Sequence, residues 1–154
     1  SLFGDGSISY IVTEGGNCKI LNSMEHTWKN SLNLMGWGVE DDGLSVIFDK
    51  IIPEFITKNL PRVVDEFPLK DFDGYVLHSG GMKIINAYKK IFNNDPSIEV
   101  SQKILSEYGN VSSVSVLLVL KEMIKKKRNG IFLMSALGPG FTAGMTGLKI
   151  CSND

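Results

Sequence analysis

Gly74-Tyr75-Val76-Leu77-His78 is apolar at every position before its histidine, without polar alternation, and runs directly into Ser79-Gly80-Gly81. A strand that does not alternate is buried on both faces, and such strands occur in parallel or mixed sheets covered by helices on each side. Residues 82–92, immediately after, carry a helical pattern. This one stretch commits the chain to a layered α/β architecture.

The remaining segments extend that reading. Residues 6–13 carry Ile8, Tyr10, Ile11 and Val12 and read as a strand. Gly15-Gly16-Asn17 reads as a turn, with residues 18–27 as the antiparallel partner of a hairpin. Residues 30–42 are rich in Asn, Gly and Asp and read as a loop, with at most a short strand around Trp37. Over residues 44–59, Leu44, Ile47, Phe48, Ile51, Ile52, Phe55 and Ile56 fall near helical spacing, and Pro53 should end one helix and open another. A short helix is expected at 100–108, and the strongest helical pattern covers 112–127. Residues 131–137 and 142–151 read as strands joined by a Gly138-Pro139-Gly140 turn. Strands alternating with helices and closing on a hairpin imply an α/β fold with a mixed sheet flanked by helices.

Composition narrows the partners. With 154 residues, 43% of them hydrophobic, the chain can bury a real core. A net charge of -1 leaves no broad basic field for nucleic acid or an anionic membrane. Lys121, Lys125, Lys126, Lys127 and Arg128 close an apolar helix pattern, where cations suit the negative end of the helix dipole. Cys18 and Cys151 lack zinc-ligand spacing and read as reduced thiols of a cytoplasmic protein. Apolar runs such as Val114 to Leu120 are far shorter than the roughly 20 residues of a membrane span. Ser1-Leu2-Phe3-Gly4-Asp5-Gly6 moves at once into a strand pattern, and reads as a cut inside a larger domain.

Two residues stand where chemistry is done. His78 closes the buried strand at a glycine-rich turn, and ligands of open α/β sheets bind just outside such strand ends. It is either a core histidine satisfied by a carbonyl or a group facing a ligand. Asn110, in Glu107-Tyr108-Gly109-Asn110-Val111-Ser112-Ser113, precedes the long helix pattern. It is either an N-cap or an amide turned toward a substrate oxygen with the helix's positive end behind it.

Four segments in order carry a resemblance. They are Leu2-Phe3-Gly4-Asp5-Gly6, Leu77-His78-Ser79-Gly80-Gly81, Leu105 to Ser113, and Gly138-Pro139-Gly140-Phe141-Thr142. Their order and spacing resemble the second half of the chalcone synthase-like (type III) polyketide synthases of the thiolase-like superfamily. Met35-Gly36-Trp37 with Asp41-Asp42-Gly43-Leu44 looks like the microbial members. The resemblance spans nearly the whole chain. It implies half of a thiolase-like layered fold, with residues 1–154 as the C-terminal half of a homodimeric enzyme. One departure is Ser79, where the family usually has proline.

The activity implied is repeated decarboxylative Claisen condensation of malonyl-CoA onto an acyl-CoA starter, ending in an aromatic or pyrone. CoA thioesters are substrates, and neither metal nor cofactor is implied. His78 and Asn110 would be the catalytic hydrogen-bond donors. The nucleophilic cysteine would belong to the N-terminal half, upstream of Ser1. Cys18 and Cys151, not being at predicted helix N-termini, do not suit that role. Phe3 would be a wall and gatekeeper residue and Trp37 part of the cavity floor. Val46 would stand where plant members have a larger aromatic gate, leaving room for an aliphatic starter, and Ser112 would shape cyclisation. Gly80, Gly81 and Lys83 would approach the CoA arm. Two other functions compete: a ketoacyl synthase releasing a single condensation product, and a non-catalytic thiolase-like scaffold.

Overall fold

Two nine-residue strands, β5 (Gly130–Gly138) and β6 (Thr142–Ile150), form the middle of a four-stranded sheet in the computed structural model, which describes residues 2–151. β6 pairs antiparallel with β1 (Cys18–Thr27), and β5 pairs parallel with β4 (Gly74–Leu77). The order β1-β6-β5-β4 is the mixed sheet that the unalternating 74–78 run implied. Val76 and Leu77 are fully buried on opposite faces, in two separate core clusters.

Helices supply those two cores. α1 (Ile52–Glu66) and α2 (Met82–Ile91) cover one face with Ile56, Leu60, Ile85 and Tyr88. α4 (Val114–Lys125) covers the other with Val116, Val119 and Met123. α3 (Ile98–Tyr108) lies beside β4 and contributes to both, through Ile98 on one side and Val100 and Ile104 on the other. A separate two-stranded ribbon, β2 (Met35–Glu40) with β3 (Gly43–Phe48), precedes α1.

Three expectations need correction. Residues 6–13 form no strand, and the expected hairpin with 18–27 is absent; Tyr10, Ile11 and Val12 are 68%, 89% and 75% exposed. A strand pattern needs a ladder partner, and the proposed partner is taken: β1 pairs with β6 from Cys18↔Ile150 to Thr27↔Thr142. Residues 44–48 are strand rather than helix, because a short continuous apolar run matches both periods and Asp41-Asp42-Gly43 supplies a hairpin turn. Trp37 lies on β2, the short strand that the 30–42 reading allowed around it. Pro53 opens α1, as expected of proline in a first helical turn, but no helix precedes it. The expectation that the chain begins inside a domain falls on Ser1, which lies outside the described residues.

The Gly138-Pro139-Gly140-Phe141 turn is anchored from the sequence-distant 28–31 segment. Phe141 N–H donates to Ser31 Oγ at 2.7 Å, and Ser31 Oγ donates to Trp28 C=O at 2.6 Å. Trp28 N–H donates to Phe141 C=O at 3.0 Å, and the two rings stack with centroids 5.6 Å apart. Ser31 is buried, so Ser31→Ala strands a main-chain donor and acceptor away from water. The expected loss is about 1–3 kcal/mol in urea or thermal unfolding. A loss below about 0.5 kcal/mol, the range of ordinary surface changes, would show that the turn is held otherwise.

Candidate functional site

His78 follows the last residue of β4. Its N–H donates to Ser135 C=O of β5 at 3.0 Å, and its C=O accepts from Gly80 N–H at 3.0 Å. The backbone is thereby tied on both sides and the imidazole projects past the sheet's end. The side chain is largely enclosed: Nδ1 is buried without a hydrogen-bond partner among the described residues, and the residue lines a cavity. Burial holds its pKa down at about 4, because desolvation penalises the imidazolium. The other residues lining this space include no titratable side chain to offset that penalty.

Asn110 is not the N-cap of α4; that position belongs to Ser113. Instead its Oδ1 accepts from Ser112 N–H at 3.0 Å, and its Nδ2 donates to Gly80 C=O at 3.2 Å. An amide nitrogen carries two hydrogens, so one donor remains. The Asn110–Gly80 bond also joins the two candidate residues' loops directly.

The Phe-Gly-Asp-Gly segment explains why Asn110 sits there. Asn110 N–H donates to Leu2 C=O at 2.8 Å, Gly4 N–H donates to Asn110 C=O at 3.1 Å, and Phe3 forms a parallel bridge with Asn110. So close a crossing excludes side chains: a Cβ on Gly4 would run into the Tyr108 carbonyl oxygen. One on Gly109, whose φ is 72°, would come within 3.0 Å of Leu2 C=O.

A cavity of about 520 Å³ joins these parts. His78, Asn110, Phe3, Trp37, Val46 and Ser112 all line it. Trp37 and Val46 are direct cross-strand partners on the ribbon, and Met35 pairs likewise with Phe48. Ser112 holds a left-handed φ of 56°, at the turn that engages the Asn110 amide. Gly80 lines a smaller pocket adjoining His78 and Asn110. Gly81, at the N-cap of α2, and the exposed Lys83 in its first turn border neither space.

Sequence reasoning missed Phe48, Leu137 and Pro139 as wall residues. Phe48 was hidden by the helical reading; strand alternation from Leu44 through Val46 reaches it. Cys18 and Cys151 line neither space, and burial raises the Cys18 pKa. Among the described residues, no group of three or more His, Cys, Asp or Glu side chains is placed to hold a metal ion. Nor is any of their helices long and apolar enough to cross a membrane.

Comparison with known proteins follows the same lines. The family described as chalcone and stilbene synthases, C-terminal domain, matches residues 19–149. A Bacillus subtilis (strain 168) protein named "Putative chalcone synthase" is 34% identical over 135 residues, covering 81% of this chain and 37% of that protein. The 1,3,6,8-tetrahydroxynaphthalene synthase of Streptomyces peucetius subsp. caesius is 28% identical over 163 residues, covering 93% of this chain and 42% of that one. Among solved structures, a fungal type III polyketide synthase superposes with a TM-score of 0.79 at 19% identity, covering 89% of this chain and 42% of that chain; this likeness shows a shared fold. The chain thus spans about two fifths of the length of the relatives it matches.

His78 generates a pH prediction. Its folded pKa lies below its ordinary value of 6.5, so the unfolded chain binds more protons between those values. The stability linked to His78 is fully present above pH 6.5 and is lost as pH falls toward 4. Replacing the imidazole in His78→Gln should flatten the fall of Tm between pH 6.5 and 5 relative to the unchanged protein. Parallel Tm profiles for the two would contradict a buried neutral histidine.

Proposed function

Because the chain belongs to the chalcone and stilbene synthase family, we propose that it supplies the donor pair and part of the substrate cavity of a type III polyketide synthase. Supporting this most directly, His78 and Asn110 share one cavity wall and Asn110 donates to the His78 turn. The synthase would condense malonyl-CoA repeatedly onto an acyl-CoA starter and cyclise the product, with a cysteine from its other half as nucleophile.

In this reading the malonyl thioester oxygen accepts hydrogen bonds from His78 Nε2–H and the remaining Asn110 Nδ2–H. The bond from the α-carbon to the carboxylate breaks and CO2 leaves. The electron pair passes into an enolate whose charge rests on the thioester oxygen, between the two donors. The α-carbon then attacks the acyl group on the cysteine. A carbon–carbon bond forms, the tetrahedral oxyanion collapses, and the cysteine sulfur departs as thiolate. The lengthened chain, now a CoA thioester, returns to the cysteine with release of CoA. A histidine held neutral by burial suits this work, since it donates without giving up its proton. A thiolate brought alongside would raise the His78 pKa by stabilising the imidazolium.

Homodimer formation, a cytoplasmic location and approach of the CoA arm near Gly80, Gly81 and Lys83 accompany the proposal. Their support is family membership, with Gly80 alone bordering the pocket beside His78.

The test is Asn110→Ala in the complete synthase. Malonyl-CoA decarboxylation should fall by about 10²–10³-fold, the loss typical of one oxyanion donor, while acylation of the cysteine stays measurable. Unchanged decarboxylation would sink the donor role. A product containing a single malonyl-derived unit would favour the one-step ketoacyl synthase.

The ribbon supplies a second prediction. Val46 lines the cavity beside its cross-strand partner Trp37 and leaves space that a phenylalanine would fill. Each buried methylene of a starter is worth about 0.8 kcal/mol, and overpacking costs about 1–3 kcal/mol. Val46→Phe should therefore lower kcat/KM for long aliphatic acyl-CoAs more than for short ones. A constant long-to-short ratio would move the gate to Trp37 or Phe3.

A further inference from the structure

Among the described residues β4 has a sheet neighbour on one side only, and its other side is closed by hydroxyls rather than by a strand. Successive residues of a strand send their main-chain groups to opposite edges. On the outer edge, Tyr75 N–H donates to Ser97 Oγ at 2.8 Å, and Leu77 C=O accepts from Ser101 Oγ at 2.8 Å. On the inner edge, His78 N–H donates to Ser135 C=O. Ser97 and Ser101 lie one helical turn apart at the start of α3, so their side chains meet alternate residues of the strand. Ser79 completes the arrangement by donating to Ser101 C=O at 2.9 Å. Ser79 and Ser101 are both 0% exposed. Residue 101 thus grips the chain immediately before and immediately after His78.

We infer that Ser101, assisted by Ser79, is a positioning residue for His78: it fixes the strand-end peptides from which the imidazole reaches the cavity shared with Asn110. The inference rests on the proposed donor role of His78. Ser101 lines neither cavity, so it acts through the strand end that it holds around His78. Removing its hydroxyl leaves Leu77 C=O buried at an open strand edge, and the strand end gains freedom to shift. Ser97 makes the same kind of contact farther from the histidine, which provides an internal control.

The experiment compares Ser101→Ala, Ser79→Ala and Ser97→Ala, with Ser101→Thr to restore a hydroxyl. In the complete synthase, Ser101→Ala should lower kcat for malonyl-CoA decarboxylation about tenfold while KM stays within about twofold. Ser79→Ala should act in the same direction, and Ser101→Thr should recover most of the loss. Ser97→Ala should lower Tm comparably and leave kcat within about twofold. The His78 ring is followed by NMR titration on the same proteins. Its midpoint should move away from that of the unaltered synthase in Ser101→Ala, as water reaches the ring, and stay in place in Ser97→Ala. Equal effects of Ser97→Ala and Ser101→Ala on kcat, or an unmoved His78 midpoint in Ser101→Ala, would overturn the inference. An unaltered synthase inactive on malonyl-CoA would defeat the proposed function, while the titration would still decide whether Ser101 positions the ring.

Discussion

Parallel pairing of β4 with β5 is the constraint from which the site follows. The register Leu77↔Ser135 leaves His78 as the first residue beyond the ladder, with its N–H still bonded to β5. From that point the chain must leave the sheet. Gly80 and Gly81 let it turn into α2, and the Gly80 carbonyl becomes the acceptor for the Asn110 amide. Parallel strands require a long crossover, and this one runs through α2, α3 and α4 before β5. The crossover carries Asn110 back to the same end of the sheet as His78. Two residues 32 positions apart in sequence thereby reach one cavity as a consequence of topology.

Much of this was legible in the sequence, and the failures share a cause. The 74–78, 131–137 and 142–151 strands were readable because their burial is settled within the sheet described here. Residues 6–13 have the composition of a strand, but composition cannot provide a neighbour with free main-chain groups, and β1 has β6. Residues 44–48 failed differently. Leu44, Ile47 and Phe48 satisfy helical spacing by coincidence, because a run apolar at nearly every position satisfies any period. At Asn110, the local rule favoured capping, and the cap lies three residues later, at Ser113. What diverts Asn110 is contact with Leu2 and Gly4, more than a hundred residues away, which no local pattern records. His78 was singled out by its place at a strand end and Asn110 by its place before a helix, and the family resemblance paired them. Ser101 was passed over because a helical serine has no local signature for the strand edge it serves.

The proposed donors and the cavity wall stand on different supports. His78 and Asn110 stand on segments whose main-chain groups are bonded to β5, Gly80 and the 2–4 segment, beside two packed cores. Trp37 and Val46 stand on a ribbon of only two strands, where both are exposed to the cavity. Two-stranded ribbons are marginal by themselves and tolerate changes of side chain that a close-packed core does not. Oxyanion stabilisation depends on donors fixed to fractions of an ångström, whereas accommodating a substrate chain depends mainly on volume. Under the proposed function, placing the donors on the main sheet's crossover and the wall on the ribbon separates these demands. A substitution such as a larger side chain at Val46 alters the space beside Trp37 without entering the bonds that hold His78 and Asn110. On that proposal, the same framework can keep one chemistry at the sheet's end while its ribbon alters the shape of the substrate admitted.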